Sequence, residues 1–181
     1  EIVRILLQYG GEDITFEHEV EDEKGLVLKE EISVNVGKYL VTAIRADDLL
    51  FNNAVYQMIF DEYHQLISQG FEVDEKDFIN HEMEQIRTTS ADLLSTPYEL
   101  SENWEKNRIY VNREDMRLKM LVDSSILSFK IKKVDARIRE FQEKLKAAGS
   151  SEDEDILLKE IHAQKKISQK FNTDLSRIIT H

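Results

Sequence analysis

The stretch LSFKIKKVDARIREFQEKLKAA, residues 127–148, decides the fold. In it Leu127, Ile131, Val134, Ile138, Phe141, Leu145 and Ala148 recur at alternating spacings of four and three. That spacing is the heptad seam of one helix packed along another. No glycine or proline interrupts the chain from Asn112, a candidate N-cap, to Gly149. Gly149-Ser150-Ser151 then makes a turn, and Ser151 with Glu154 forms a capping box for the next helix. There Leu157, Ile161, Gln164, Ser168, Phe171, Leu175 and Ile178 repeat the same spacing. Two long helices joined by so short a turn fold back antiparallel, seam against seam. At about 1.5 Å per residue, roughly 35 residues make an arm of about 50 Å.

Working outward, residues 1–110 carry shorter periods. Ile2, Ile5, Leu6 and Tyr9 mark one helical face, ended by Gly10-Gly11, residues tolerant of positive φ. The acidic stretch from Glu12 to Glu31 contains the alternating run Ile14 to Val20. It reads equally as a short hairpin through Gly25 or as a loop, since its charge leaves little apolar surface to bury. Ser33 is a candidate N-cap for a helix bearing Val36, Tyr39, Leu40, Ala43 and Ile44. Asn52 or Asn53 caps another, with Val55, Met58, Ile59, Tyr63 and Leu66 inward and Gly70 closing it. Asp74 opens a short helix through Phe78, and Met83 to Leu94 forms one more. Pro97, the lone proline, breaks the chain, with a further turn or two at Ser101 to Asn107. The expected fold is all-α: a compact bundle of short helices, residues 1–110, followed by a long antiparallel helical hairpin, residues 111–181.

Composition agrees. One proline and six glycines in 181 residues supply too little turn chemistry for an all-β chain. The 41% apolar content allows a sizeable core. The absence of cysteine excludes disulfides, thiol catalysis and cysteine-ligated zinc, and fits a cytoplasmic location. No apolar run reaches the ~20 residues of a membrane span, so no membrane partner is expected. The chain opens on Glu1 without Met, as an excised piece of a longer protein would. The net charge of −12 is unevenly spread. Residues 111–181 hold 15 basic and 12 acidic residues, whereas residues 1–110 hold 9 and 24. The acidic part repels phosphate, and no direct nucleic-acid contact is expected.

Catalytic patterns fail one by one. His81-Glu82-Met83-Glu84-Gln85 begins like a zinc-protease motif, but Gln85 stands where the second His must be. Asp61 and His64 have the spacing of a bundle metal pair, with no second pair to complete a dimetal site. Gly10-Gly11 lacks the Lys-Ser/Thr of a P-loop. The expectation is a non-enzymatic fragment without metal or other cofactor.

The run Leu93-Leu94-Ser95-Thr96-Pro97-Tyr98-Glu99-Leu100-Ser101-Glu102-Asn103-Trp104-Glu105-Lys106, followed by Ile109-Tyr110-Val111, is similar to the C-terminal region of DNA primases of the DnaG type from the Bacteroidetes-like lineage. Ile5 to Gly10, Phe51 to Gln57 with Glu62-Tyr63, and Phe78 to His81 resemble it too, so the resemblance covers nearly the whole chain. It implies a module that binds the N-terminal domains of the hexameric replicative helicase, with the hairpin as principal contact. The family's zinc-binding and RNA-polymerising domains would lie upstream.

The resemblance places no single contact residue. On physical grounds an anchor is an apolar side chain that the hairpin's own seam leaves uncovered. Phe171, Leu175, Ile178 and Ile179 widen the stripe near the chain's end, and Ile178 and Ile179 cannot both face one seam. They are the candidate anchors, with Lys166, Lys170 and Arg177 as a polar rim. The competing reading packs them on the first lobe, against Trp104 or Phe129. A second class of function, a coiled-coil scaffold or dimeriser, is opposed by the turn at Gly149, which favours a monomer with an intramolecular hairpin.

Overall fold

The computed structural model describes residues 1–21, 27–95 and 114–180. Its elements are α1 (Ile2–Tyr9), β1 (Asp13–Glu21), β2 (Val27–Asn35), α2 (Val36–Arg45), α3 (Ala54–Ser68), α4 (Glu75–Ile79), α5 (Glu84–Ser95), α6 (Glu114–Lys146) and α7 (Ser151–Thr180). The fold is mostly helical, as expected, with one two-stranded antiparallel sheet. Two compact units divide it, Glu1–Val122 and Asp123–His181. The boundary drawn from sequence between residues 110 and 111 lies outside the described residues. So do Gly25, Pro97, the turn at Ser101 to Asn107, Trp104, the Asn112 cap, and the resemblance run from Thr96 onward.

In the first unit α1 is the central element, touching α2, α3, α4 and α5. The sequence suggests one apolar face, yet Ile2, Val3, Arg4, Ile5, Leu6 and Leu7 are all buried. A helix enclosed on every side cannot keep a polar face, except where a charge is fully paired. Arg4 is such a case. Its guanidinium donates to the Glu1 carboxylate at 2.6 and 3.3 Å and to Gln8 Oε1 at 3.0 Å.

Gly10 ends α1 in ordinary right-handed geometry, with φ −63°. Its lack of a side chain serves a close approach instead. A Cβ there, or at Gly37, would collide with the hydroxyl of Tyr63 from α3. Gly37 N–H also donates to Gly10 O at 3.0 Å, so α1 and α2 meet backbone to backbone at this point. Gly70, by contrast, closes α3 with φ +85°, where a side chain would be strained.

The acidic stretch forms the hairpin, with Asp13 opposite Asn35 and Thr15 opposite Ser33. Ser33 is therefore a strand residue, and the cap of α2 is Asn35, whose side chain accepts from Lys38 N–H at 3.1 Å. Contacts distant in sequence decide in favour of the strands. Ile14 is fully buried, and Phe16 lies 5.2 Å from the Tyr39 ring, with the Lys119 ammonium 4.4 Å from its face.

Asn53, rather than Asn52, caps α3, accepting from Val55 and Tyr56 N–H at 2.9 and 3.1 Å. Gln57 then reaches back, its Oε1 accepting from Phe51 N–H at 2.7 Å. The Phe51 ring packs 5.2 Å from Phe60, a fully buried residue outside the apolar face read for α3. The Phe51–Gln57 stretch is thus a self-clamping helix start. Asp74 caps α4 in a box with Asp77.

The second unit is the hairpin. The seven seam positions from Leu127 to Ala148, the last just past the end of α6, and six of the seven on α7 are half-buried, and Ile161 is buried. Ser168 Oγ donates to Asp135 Oδ1 at 3.0 Å, a polar contact that fixes the antiparallel register. The α7 cap is Ser150, one residue before the serine read from sequence. Its hydroxyl accepts from Asp153 N–H at 3.2 Å and donates to the Asp153 carboxylate at 2.7 Å.

Candidate functional site

Helix α7 carries the candidate contact residues. Phe171, Leu175, Ile178 and Ile179 are half-buried, while Lys166, Lys170 and Arg177 are exposed. Arg177 lies 3.5 Å from Asp174 one turn back. Within the hairpin, the large apolar residues most open to solvent lie earlier on the same helix. Ile156, Leu158 and Ile167 are 54%, 52% and 40% exposed. Sequence reasoning passed them over, although the signal was present. Ile156-Leu157-Leu158 are consecutive, and only Leu157 holds a seam position, so its neighbours must flank the seam. Leu158 and Lys166 line one shallow groove of about 440 Å³ with Asp155, Lys159, His162 and Ala163. A helical hairpin buries one stripe per helix, and its flanks stay open. At 3.6 residues per turn Ile156 and Ile167 fall on one flank of the α7 seam and Leu158 on the other, beside Lys159 and Lys166.

Along α6 the exposed charges pair locally. Lys144 donates to Glu140 at 2.7 Å and holds its carboxyl below the usual range. Lys146 pairs with Glu143 at 2.7 Å. This turn of the hairpin is a solvated surface.

The two metal-like patterns in the first unit are spent on structure. His81 Nδ1 accepts from Met83 N–H at 3.0 Å, which leaves the proton on Nε2 to face Glu62 Oε1 at 2.9 Å. Arg87 donates to the His81 carbonyl at 3.2 Å. The ring therefore joins the start of α5 to α3, with both nitrogens engaged. Asp61 accepts from Arg45 and, through both oxygens at 3.0 Å, from Gln57. It is tied to these two rather than to His64. No group of three or more His, Cys, Asp or Glu able to hold a metal occurs among the described residues. No described helix is long and apolar enough to cross a membrane.

Fold and surface together define a helical protein whose second unit is a long hairpin with exposed apolar residues on both flanks of the α7 seam. Residues 1–178 match the family described as a domain of unknown function, DUF8430, and the chain belongs to that family. No curated protein and no solved structure matches it.

Proposed function

We propose that this chain is a non-catalytic, cytoplasmic protein-binding module of a DNA primase, which docks on the N-terminal domains of the hexameric replicative helicase. The observation that carries the docking role is the set of exposed apolar side chains on α7, Ile156 and Ile167 on one side of the seam and Leu158 on the other beside Lys159 and Lys166. The nature of the partner rests on the resemblance of Leu93–Val111, Phe51–Gln57 and Phe78–His81 to the primase C-terminal region. Docking would act by mass action. A tethered polymerising domain has a raised effective concentration where the helicase exposes single strands. The half-buried Phe171, Leu175, Ile178 and Ile179 are the further candidate anchors toward the chain's end.

The test is binding of the chain to the helicase of its own organism, measured by calorimetry beside a melting curve. The triple variant Ile156→Asp, Leu158→Asp, Ile167→Asp is expected to lose at least about a hundredfold in affinity with little change in melting temperature, because exposed anchors contribute to the complex alone. Ile179→Asp is expected to lose about tenfold. No binding by the unmodified chain would refute the helicase assignment. Undiminished binding by the triple variant would move the contact off these residues. A dimer in light scattering at micromolar concentration would favour the scaffold reading instead.

A further inference from the structure

A groove of about 860 Å³ opens beside the C-terminal end of α1 in the first unit, and its floor is Tyr63. That side chain is only 2% exposed, and its ring stacks 6.0 Å from Phe78. Its hydroxyl rests against Gly10 and Gly37. No hydrogen-bond partner meets this hydroxyl among the described residues, and burial pushes its pKa up to about 12. Buried tyrosine hydroxyls ordinarily find a partner. This one faces the groove.

The walls say what kind of partner fits. Five carboxylates, on Glu12, Asp13, Glu72, Asp74 and Glu75, line the groove against a single ammonium, that of Lys38. Two of the five are engaged. Asp13 accepts from Ser33 Oγ at 3.3 Å, and Asp74 caps α4. The side chains of Glu12, Glu72 and Glu75 have no partner among the described residues. On the same wall Phe71 stands 59% exposed, an aromatic face left in water next to Glu72.

We infer that this groove receives an arginine side chain from an extended segment of a partner protein. A guanidinium meets all three features at once. Its plane stacks on the Phe71 ring, its paired N–H groups fork to the free carboxylates, and a further N–H donates to the Tyr63 oxygen. A lysine ammonium offers the charge without the stacking plane. Lys38 bounds the α2 side, so the cation seats toward the 70–75 segment. This surface lies in the first unit, and the inference does not depend on the hairpin's partner.

The experiment uses the full chain and three fluorescein-labelled peptides, Gly-Gly-Arg-Gly-Gly and its lysine and citrulline counterparts, with binding read by anisotropy up to millimolar protein. The arginine peptide is expected to bind at least fivefold more tightly than the lysine one, and the citrulline peptide not at all. Tyr63→Phe, Phe71→Ala and the pair Glu72→Gln, Glu75→Gln are each expected to weaken it about tenfold. The pair Glu152→Gln, Glu154→Gln on the hairpin removes the same charge and is expected to leave binding unchanged. Equal affinity for arginine and lysine, an equal loss in the hairpin pair, or no binding at all would overturn the inference. The first two outcomes would mean diffuse attraction to an acidic chain. Phe71 is exposed, so its variant reads the site even if Tyr63→Phe perturbs the fold.

Discussion

The first unit and the hairpin enclose their apolar side chains in different ways. In the first unit Ile5, Leu6, Ile14, Leu40, Ile44, Ile59 and Phe60 are shut off from solvent completely. In the hairpin, from Asp123 on, Ile126 and Ile161 are the buried apolar residues, and the rest of the seam is half-buried. Short helices that converge on α1 from several directions can close over a side chain. Two helices sharing one seam cannot, because each flank of the seam faces water. The first unit is therefore a tight jigsaw with little tolerance for added volume. The hairpin leaves Ile156, Leu158 and Ile167 exposed.

The largest expected effect probes the tight unit at its narrowest point. In Gly37→Ala the new Cβ would lie 2.8 Å from Tyr63 Cε1 and 2.9 Å from Gly10 O. Neither neighbour can withdraw, since the ring is held against Phe78 and the carbonyl belongs to the α1 terminus. Overpacking of this kind should cost about 3 kcal/mol in chemical denaturation, at the upper end of what an added methyl does. A loss below about 1 kcal/mol would mean that the close approach relaxes freely, and the contrast with the hairpin would fail.

The hairpin's own best-buried contact should matter less. Ile161→Ala is expected to cost about 2 kcal/mol, the low end for a core isoleucine, because the open flanks let the seam collapse around the gap. A cost as large as that of Gly37→Ala would show the hairpin to be packed as tightly as the first unit.

The smallest effect comes from proton linkage. Burial raises the Tyr63 pKa from the ordinary 10.0 to about 12, so the folded state holds its proton longer than the unfolded chain does. The associated stability is complete below pH 10 and is lost as pH rises toward 12. The loss should be about 1.5 kcal/mol, less than the full two-unit value because the hydroxyl touches the solvent of the groove. Denaturation at pH 9 and pH 11.5, compared with Tyr63→Phe, isolates it. Identical pH dependence in the two proteins would remove the linkage.

Much of this architecture is legible in the residues. The 4-3 spacing of Leu127 to Ala148 and Leu157 to Ile178 survives in the structure position by position, since a seam is a property of one helix's own period. Caps supplied by Asn53 and Asp74 are equally local. The readings that moved depended on residues far away in the chain. Ser33 gave way to Asn35 as a cap because strand pairing with Thr15 claimed it. The α3 face gained Phe60 because Phe51, folded back by Gln57, covers it. On α7 the exposed Ile156 and Leu158 were passed over, although the adjacency argument that singled out Ile178 and Ile179 applies to them as well. The groove at Tyr63 had no such signal, for its parts come from α1, α3 and the 70–75 segment.

By itself the sequence determined the helical character, the hairpin and its register of seam residues, because periodicity and capping act within a few turns. Only the tertiary structure decided that α1 is enclosed on all sides, that the acidic stretch pairs as strands, and that Gly10 and Gly37 exist to admit Tyr63. Those outcomes depend on which distant surfaces meet, and close packing, unlike helix formation, is a property of the pair rather than of either partner.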